Sequence, residues 1–235
     1  MSFDLSYVIS TFPRIASAIP VTLYLTIVSM ILAVILGLLM AMIQLKHVPV
    51  LGKLLKYWIM FVRSVPLMII LYISYYAVPL LMARMMNRMG KQFDWDALPS
   101  TAFAIIALVL IYSAYLSECF RSSIMAVNRG QTEAALSIGM NHVSSYYHVV
   151  LPQAFAIALP NIGNLFICLF KDTSLSYLVM VQDVLGMAKS IGGVDYTFIE
   201  CYLVAAIIYW AISSIFELFL KIIEIKAFKF KPIKS

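Results

Sequence analysis

The sequence predicts an all-α integral membrane protein with about five transmembrane helices. Of its 235 residues, 63% are hydrophobic and only 12% are charged, whereas a soluble domain carries about 25% charged residues. The mean hydropathy is +0.95. A bilayer core of about 30 Å requires roughly 20 apolar residues per helix, so this chain accommodates about five or six spans joined by short loops. We therefore expect residues 1–235 to form a single transmembrane domain.

The first three spans are uncharged stretches between charged residues. This pattern locates them because a charged side chain at the bilayer centre costs at least about 2.5 kcal/mol. It predicts spans at about residues 18–43, 64–83 and 98–117. The flanking charges are Arg14, Lys46, Arg63, Arg84, Asp96 and Glu118.

The last two spans are less uniformly apolar. The fourth, at about residues 154–180, contains Lys171 and Asp172, and the fifth, at about residues 200–223, contains Glu217 near its end. Ionisable side chains within a span generally face the interior of a bundle or a water-filled cavity. The fourth span is therefore expected to have a functional face.

The residues before the first span lack the basic n-region of a signal peptide. We expect the first span itself to act as an uncleaved insertion signal. In the tract from Phe3 to Ile19, Phe12, Ile15 and Ile19 recur at helical spacing. This tract is either a short amphipathic segment at the outer interface or a disordered tail.

The distribution of Lys and Arg predicts the orientation, since cytoplasmic loops are enriched in these residues. Five spans place the two termini on opposite sides. One set of segments holds ten basic residues: Lys46, Lys53, Lys56, Arg121, Arg129, Lys221, Lys226, Lys229, Lys231 and Lys234. The other set holds five: Arg14, Arg84, Arg88, Lys91 and Lys189. We therefore expect the N-terminus outside and the C-terminus in the cytoplasm, and the net charge of +6 gives no support to nucleic-acid binding.

A polar segment, residues 121–150, separates the third and fourth spans and is expected in the cytoplasm. Within it, residues 133–138 favour a helix, which Gln131 or Thr132 would begin and Gly139 would end. Isolated helices below about 12 residues are marginal in water. This helix therefore needs a partner surface.

The composition of the short helix suits docking. Ala134 and Ala135 allow a partner to approach the backbone closely, and Glu133, near the N-terminus, is favoured by the helix dipole. Three neighbours would supply apolar contacts: Leu136, Ile138 and Met140. The residues alone leave an ordinary structured loop as the alternative.

This segment resembles the EAA signature of permease subunits of ATP-binding-cassette importers. The signature is Glu-Ala-Ala, three residues, Gly, nine residues, an aliphatic residue, one further residue and Leu-Pro. Here it is filled by Glu133, Ala134, Ala135, Gly139, Val149, Leu151 and Pro152. The runs 63–67 and 171–175 also resemble the polar amino-acid branch of this family. Ser64 and Val65 replace the Gly and Thr usual in that branch.

The resemblance implies a type I importer permease fold in a bacterial cell membrane, with the EAA helix as a coupling helix held in a groove of a separate ATPase subunit. It also implies alternating access, fed by an extracytoplasmic substrate-binding protein. The chain is then a permease and not an enzyme, since it lacks a G-x-x-x-x-G-K-[ST] loop and ATP and Mg²⁺ belong to the ATPase. The expected coupling residues are Glu133, Ala134, Ala135, Leu136, Gly139 and Met140.

Polar side chains within the spans predict the substrate pathway, because facing lipid would be costly for them. Asn161, Asn164 and Lys171 share roughly one helical face. With a carboxylate such as Glu118 or Asp172 nearby, amide and ammonium donors would suit an amino-acid zwitterion. The candidates are Asn161, Asn164, Lys171, Asp172, Ser174, Glu118 and Tyr75.

Structural roles remain open for several of these residues. Lys171 and Asp172 could pair with other spans, Glu118 could bind Arg121 at i, i+3, and Tyr75 could serve packing. The cysteines are odd in number and widely separated, which favours packing over a disulfide or a metal site. They are Cys119, Cys168 and Cys201.

One chain of five spans is expected to form half of a pathway, completed around a two-fold axis by a second copy or a similar permease. The expected cargo is a polar amino acid or a cystine-like substrate. An ion-coupled secondary carrier or small channel without an ATPase is the alternative, although carriers usually contain internal repeats, which we do not detect. A structural scaffold would leave the charges of the fourth span unexplained.

Overall fold

The computed structural model of the protein describes residues 4–46, 48–92 and 98–227. Within these ranges the chain is helical and contains no strand. Its α-helices are α1 (Leu5–Ala16), α2 (Ile19–Leu45), α3 (Pro49–Ser64), α4 (Leu67–Arg88), α5 (Ser100–Met125), α6 (Arg129–Ser137), α7 (His142–Ser145), α8 (Leu151–Asp172), α9 (Val184–Asp195) and α10 (Phe198–Ala227). Phe3, Asp96, Lys229, Lys231 and Lys234, which enter the predictions above, lie outside the described residues.

Five helical segments are long and apolar enough to cross a membrane, which confirms the predicted number for the described part of the chain. They are Ile19–Leu45, Leu67–Arg88, Ser100–Met125, His142–Val179 and Phe198–Ile225. The third of them, α5, is the most enclosed and forms the centre of the bundle, where α2, α4 and α8 pack around it.

The residues before the first span form a helix, α1, that packs on the bundle. Asp4 caps it, because its carboxylate accepts hydrogen bonds from the backbone N–H groups of Ser6 and Tyr7. Val8 and Ile15 on its inner face are buried in a cluster with α9 and α10. The tract is therefore an amphipathic helix in the structure and not a disordered tail.

Small residues line the contact between α2 and α5. Ala33, Gly37 and Ala41 recur every four residues along one buried face of α2. A Cβ atom added at Gly37 would lie 2.9 Å from Cβ of Leu116 and 3.1 Å from the carbonyl oxygen of Ser113. Such close backbone approach is typical of helix packing in membranes, where small residues form the interface.

The segment between the first two spans was predicted to be a loop but is a helix, α3. Only Ile59 and Val62 are buried on it. At 16 residues it is shorter than a membrane span, and three charged residues interrupt its apolar pattern. It ends at Ser64, where Val65 is extended before Pro66, as the residue preceding a proline tends to be.

The fourth span begins earlier than residue 154. α7, a π-helical segment (Tyr146–Val150) and α8 follow one another without a break, so the helical rod starts at His142. It extends beyond α8 as a 3₁₀ segment, Thr173–Val179. Residues 126–141 are all that remain between this rod and α5, since α5 runs to Met125.

Hydrogen bonds hold α9 against the spans at the end of the bundle opposite α6. The buried carboxylate of Asp183 accepts hydrogen bonds from the backbone N–H of Gly186 at 2.9 Å and from the hydroxyl of Tyr209 at 2.8 Å. The hydroxyl of Thr22 accepts one from the backbone N–H of Val184 at 3.1 Å. The turn before α9 is therefore fixed to both α2 and α10.

Candidate coupling helix and polar cavity

The short helix α6 begins earlier than predicted. Asn128 is its N-cap, and the side-chain oxygen of Asn128 accepts a hydrogen bond from the backbone N–H of Gly130 at 2.8 Å. The predicted starts at Gln131 and Thr132 were wrong because Asn128 already supplies a capping acceptor. Glu133 consequently lies beyond the first turn, where the helix dipole is weaker.

The end of α6 agrees with the prediction. Gly139 has a φ of +90°, in the region that favours glycine. Its backbone N–H donates to the carbonyl of Leu136 at 3.0 Å, and that of Met140 donates to the carbonyl of Ala135 at 3.1 Å. This reversed turn satisfies carbonyls at the helix end and directs the chain into α7.

The two alanines of the motif point in different directions. Ala135 is only 4% exposed and is the buried residue of α6, which packs against α7 and the π-helical segment. Glu133 and Ala134 are exposed, and Ile138 is 77% exposed. Leu136 and Met140 are half-buried. We define the coupling face as Glu133, Ala134 and Ile138.

A polar cavity of about 370 Å³ opens between the C-terminal ends of α3 and α5 and the middle of α8. It contains three of the predicted pathway residues, Glu118, Asn161 and Asn164. Its full lining is Arg63, Tyr115, Glu118, Cys119, Ser122, Asn161, Asn164 and Leu165.

Two charged residues, Arg63 and Glu118, line this cavity. Glu118 and Arg121 form the predicted i, i+3 ion pair, with Nη2 to Oε2 at 2.6 Å and Nε 3.3 Å from each carboxylate oxygen. The guanidinium carbon of Arg63 lies 5.2 Å from the ring centroid of Tyr115, a cation–π distance. The cavity therefore presents one neutralised carboxylate and one additional cation.

One face of α8 is polar and uncovered. Asn161, Asn164, Cys168 and Lys171 follow at alternating spacings of three and four residues and are all exposed in the single chain. Asn161, Asn164 and Lys171 were predicted to share one face, and the structure agrees. We define this set as the α8 stripe.

The remaining pathway candidates lie apart from the cavity. Asp172 is half-buried and accepts a hydrogen bond from the hydroxyl of Tyr112 at 2.8 Å, which joins α8 to α5. Tyr75 packs edge-to-face on Phe103, with ring centroids 5.5 Å apart. Ser174 is half-buried in the 3₁₀ segment. Asp172 and Tyr75 thus fit the structural roles that were left open.

Arg63 is the charged residue of the cavity lining that was not among the predicted pathway residues. It was treated as a flanking charge of the second span. Its place in a run that resembles the amino-acid branch was the available signal. No group of three or more potential metal ligands occurs within the part of the chain that the structure describes, and the three cysteines are free.

Comparisons with known proteins agree with this geometry. Residues 33–229 match the family described as binding-protein-dependent transport system inner membrane component. The probable amino-acid permease protein YxeN of Bacillus subtilis is 36% identical over 95% of both chains. The L-cystine transport system permease protein TcyL of the same organism is 32% identical over 95% of this chain and 91% of its own. A crystal structure of an amino acid ABC transporter with histidines superposes with a TM-score of 0.83 at 28% identity, covering 96% of this chain and 100% of that one.

Proposed function

Because this chain belongs to the family of binding-protein-dependent transport system inner membrane components, we propose that its polar cavity and α8 stripe line half of an amino-acid import pathway. It is a multi-pass protein of the bacterial membrane. Its relatives make it the permease subunit of an ATP-driven amino-acid importer. The family match also argues against the alternative of an ion-coupled carrier or channel that lacks an ATPase.

The coupling face is the proposed contact with the ATPase. A nine-residue helix is too short to persist alone in water. Ala135 packs α6 against α7 and the π-helical segment, yet Ile138, the C-cap residue of α6, remains 77% exposed. A groove of the ATPase would cover this surface. ATP and Mg²⁺ would bind to that subunit, and nucleotide could bias the spans only through contacts that differ between their two states.

The proposed docking implies an orientation of the chain in the membrane. α6 lies on the cytoplasmic side, and the N-terminus lies outside, in agreement with the excess of Lys and Arg on the α6 side. A substrate-binding protein would then meet the opposite end of the bundle, near α9. The end carrying α6 would open to the cytoplasm when the pathway faces inward.

The α8 stripe is the proposed boundary with a second permease. Asn161, Asn164 and Lys171 would be costly in contact with lipid. A second copy, or a similar chain, placed around a two-fold axis would remove the stripe from lipid and enclose a pathway between the two subunits. The stripe is the observation that carries this proposal, since in the single chain it is both polar and uncovered.

Replacing Ile138 by Asp tests the docking contact. We expect Ile138→Asp to abolish co-purification of the ATPase with the permease, because it places a charge at the centre of an apolar contact. Val194→Asp is the matched control: Val194 is also 77% exposed, but it lies on α9 at the other end of the bundle. Equal ATPase recovery with Ile138→Asp and wild type would refute α6 as the docking point.

Removing polar groups of the α8 stripe tests the pathway. We expect Asn164→Ala combined with Lys171→Ala to raise the KM of amino-acid uptake about tenfold, since each substitution removes a hydrogen-bond donor to charged cargo. Uptake is measured in proteoliposomes with the ATPase and the binding protein. The control combines Asn87→Ala, in the last turn of α4, with Lys91→Ala, three residues beyond the end of α4, and removes the same residue types. An unchanged KM and unchanged selectivity would exclude the stripe from the pathway.

A further inference from the structure

A second and larger cavity continues from the polar cavity toward the end of the bundle that carries α6. Its volume is about 840 Å³, and it lies between α2, α3 and α5. The two cavities share Arg63, Tyr115 and Glu118, so these residues stand at the junction. The charged residues of the larger cavity are Lys53, Lys56, Arg63, Glu118 and Arg121.

The charged residues that line the two cavities are predominantly cationic. Glu118 is the single carboxylate in either lining, and Arg121 holds it in the ion pair described above. Within the described residues, neither Lys53, Lys56 nor Arg63 has a carboxylate within salt-bridge distance. Three cations in the two linings therefore have no carboxylate within salt-bridge distance among the described residues.

Arg63 differs from the two lysines in position and chemistry. Lys53 and Lys56 line only the larger cavity, where residues on the cytoplasmic side of a membrane protein are commonly basic. Arg63 lines both cavities, and its guanidinium carbon lies over the ring of Tyr115. Guanidinium groups bind carboxylates through two parallel hydrogen bonds, which an ammonium does not do.

We propose that this permease selects amino acids with two carboxylates over those with a cationic side chain, and that Arg63 binds the second carboxylate. This inference rests on the proposed pathway. An unpaired cationic lining attracts a dicarboxylate and repels a cargo that carries additional positive charge. The chemical class includes acidic amino acids and dimeric amino acids with two α-carboxylates, such as cystine.

The test is equilibrium binding to the purified permease–ATPase complex without the binding protein, so that the selectivity measured belongs to the permease. The probes are radiolabelled L-glutamate, L-cystine and L-lysine. We expect L-lysine to bind at least about tenfold more weakly than the other two. Glutamate binding should also weaken as ionic strength rises, since salt screens the cationic lining.

Arg63→Gln tests the residue itself. It should weaken L-glutamate and L-cystine binding about tenfold, because a charge-assisted hydrogen-bonding partner is lost, and should leave L-lysine binding unchanged or improved. The matched control is Arg88→Gln, in the last turn of α4 and in neither cavity lining. Copurification of the ATPase verifies that each variant is folded.

Three outcomes would overturn the inference: L-lysine binding as tightly as L-glutamate, equal affinities in wild type and Arg63→Gln, or binding of none of the probes. The comparison of the three probes in wild type decides the matter even when Arg63→Gln fails to assemble. Failure of the proposed function has a different signature, since it would abolish ATP-driven uptake of every amino acid by the complete importer.

Discussion

Gly139→Val is expected to uncouple transport from ATP hydrolysis while the permease still inserts into the membrane. Gly139 has a φ of +90°, where a β-branched side chain is a clear outlier. The strained substitution would shift or unwind the turn that joins α6 to α7. We expect transport and substrate-stimulated ATP hydrolysis to fall by about tenfold or more, since each 1.4 kcal/mol of lost coupling corresponds to a factor of ten.

Gly90→Val provides the control for this substitution. Gly90 also has a positive φ, +70°, and a Cβ atom there would likewise meet nothing within 4 Å. It follows α4, away from α6. Both variants therefore introduce comparable backbone strain, but only Gly139→Val strains the coupling turn. Full substrate-stimulated ATPase activity in Gly139→Val would refute the role of this turn.

Gly37→Val is expected to destabilise the whole bundle. The new Cβ would lie 2.9 Å from Cβ of Leu116, a distance that forces α2 away from the central helix. Overpacking costs typically about 1–3 kcal/mol, and the two additional methyl groups of valine raise the cost further. We expect a lower yield in membranes and a lower midpoint of thermal unfolding in detergent.

Gly52→Val is the control, because it distinguishes the effect of overpacking from the general effect of replacing a helical glycine. Gly52 is also helical, and a Cβ atom there would meet no neighbour within 4 Å. This variant should unfold at or slightly above the temperature of wild type, because valine has a better helix propensity than glycine. Equal midpoints for Gly37→Val and wild type would show that α2 and α5 can separate without cost.

The number of spans could be predicted from the sequence because the bilayer imposes a length and a composition on each of them. α3 could not. Three basic residues, Lys53, Lys56 and Arg63, interrupt its apolar residues, and these charges predicted a loop. Tertiary contacts of Ile59 and Val62 stabilise this helix, and such contacts are invisible to a search for uncharged stretches.

The part of the candidate site that lies on a single helix could be predicted from the sequence. Asn161, Asn164 and Lys171 share a face because a helix repeats every 3.6 residues. The proximity of Arg63 to Glu118 and Asn164 depends instead on how three helices pack, which spacing along the chain does not reveal. The start of α6 was misplaced for a local reason, since the capping side chain of Asn128 precedes the recognised motif.

The continuity of the rod from His142 to Asp172 has a mechanical consequence for the proposed importer. α6 rests on the first turns of this rod through Ala135, and the amides of Asn161 and Asn164 project from the same rod farther along. A displacement that the ATPase imposes on α6 would thus reach the cargo through one continuous helical rod and not through a series of loops. The π-helical segment and Pro160 lie within this rod, where they would determine its bending stiffness when the ATPase binds and hydrolyses ATP.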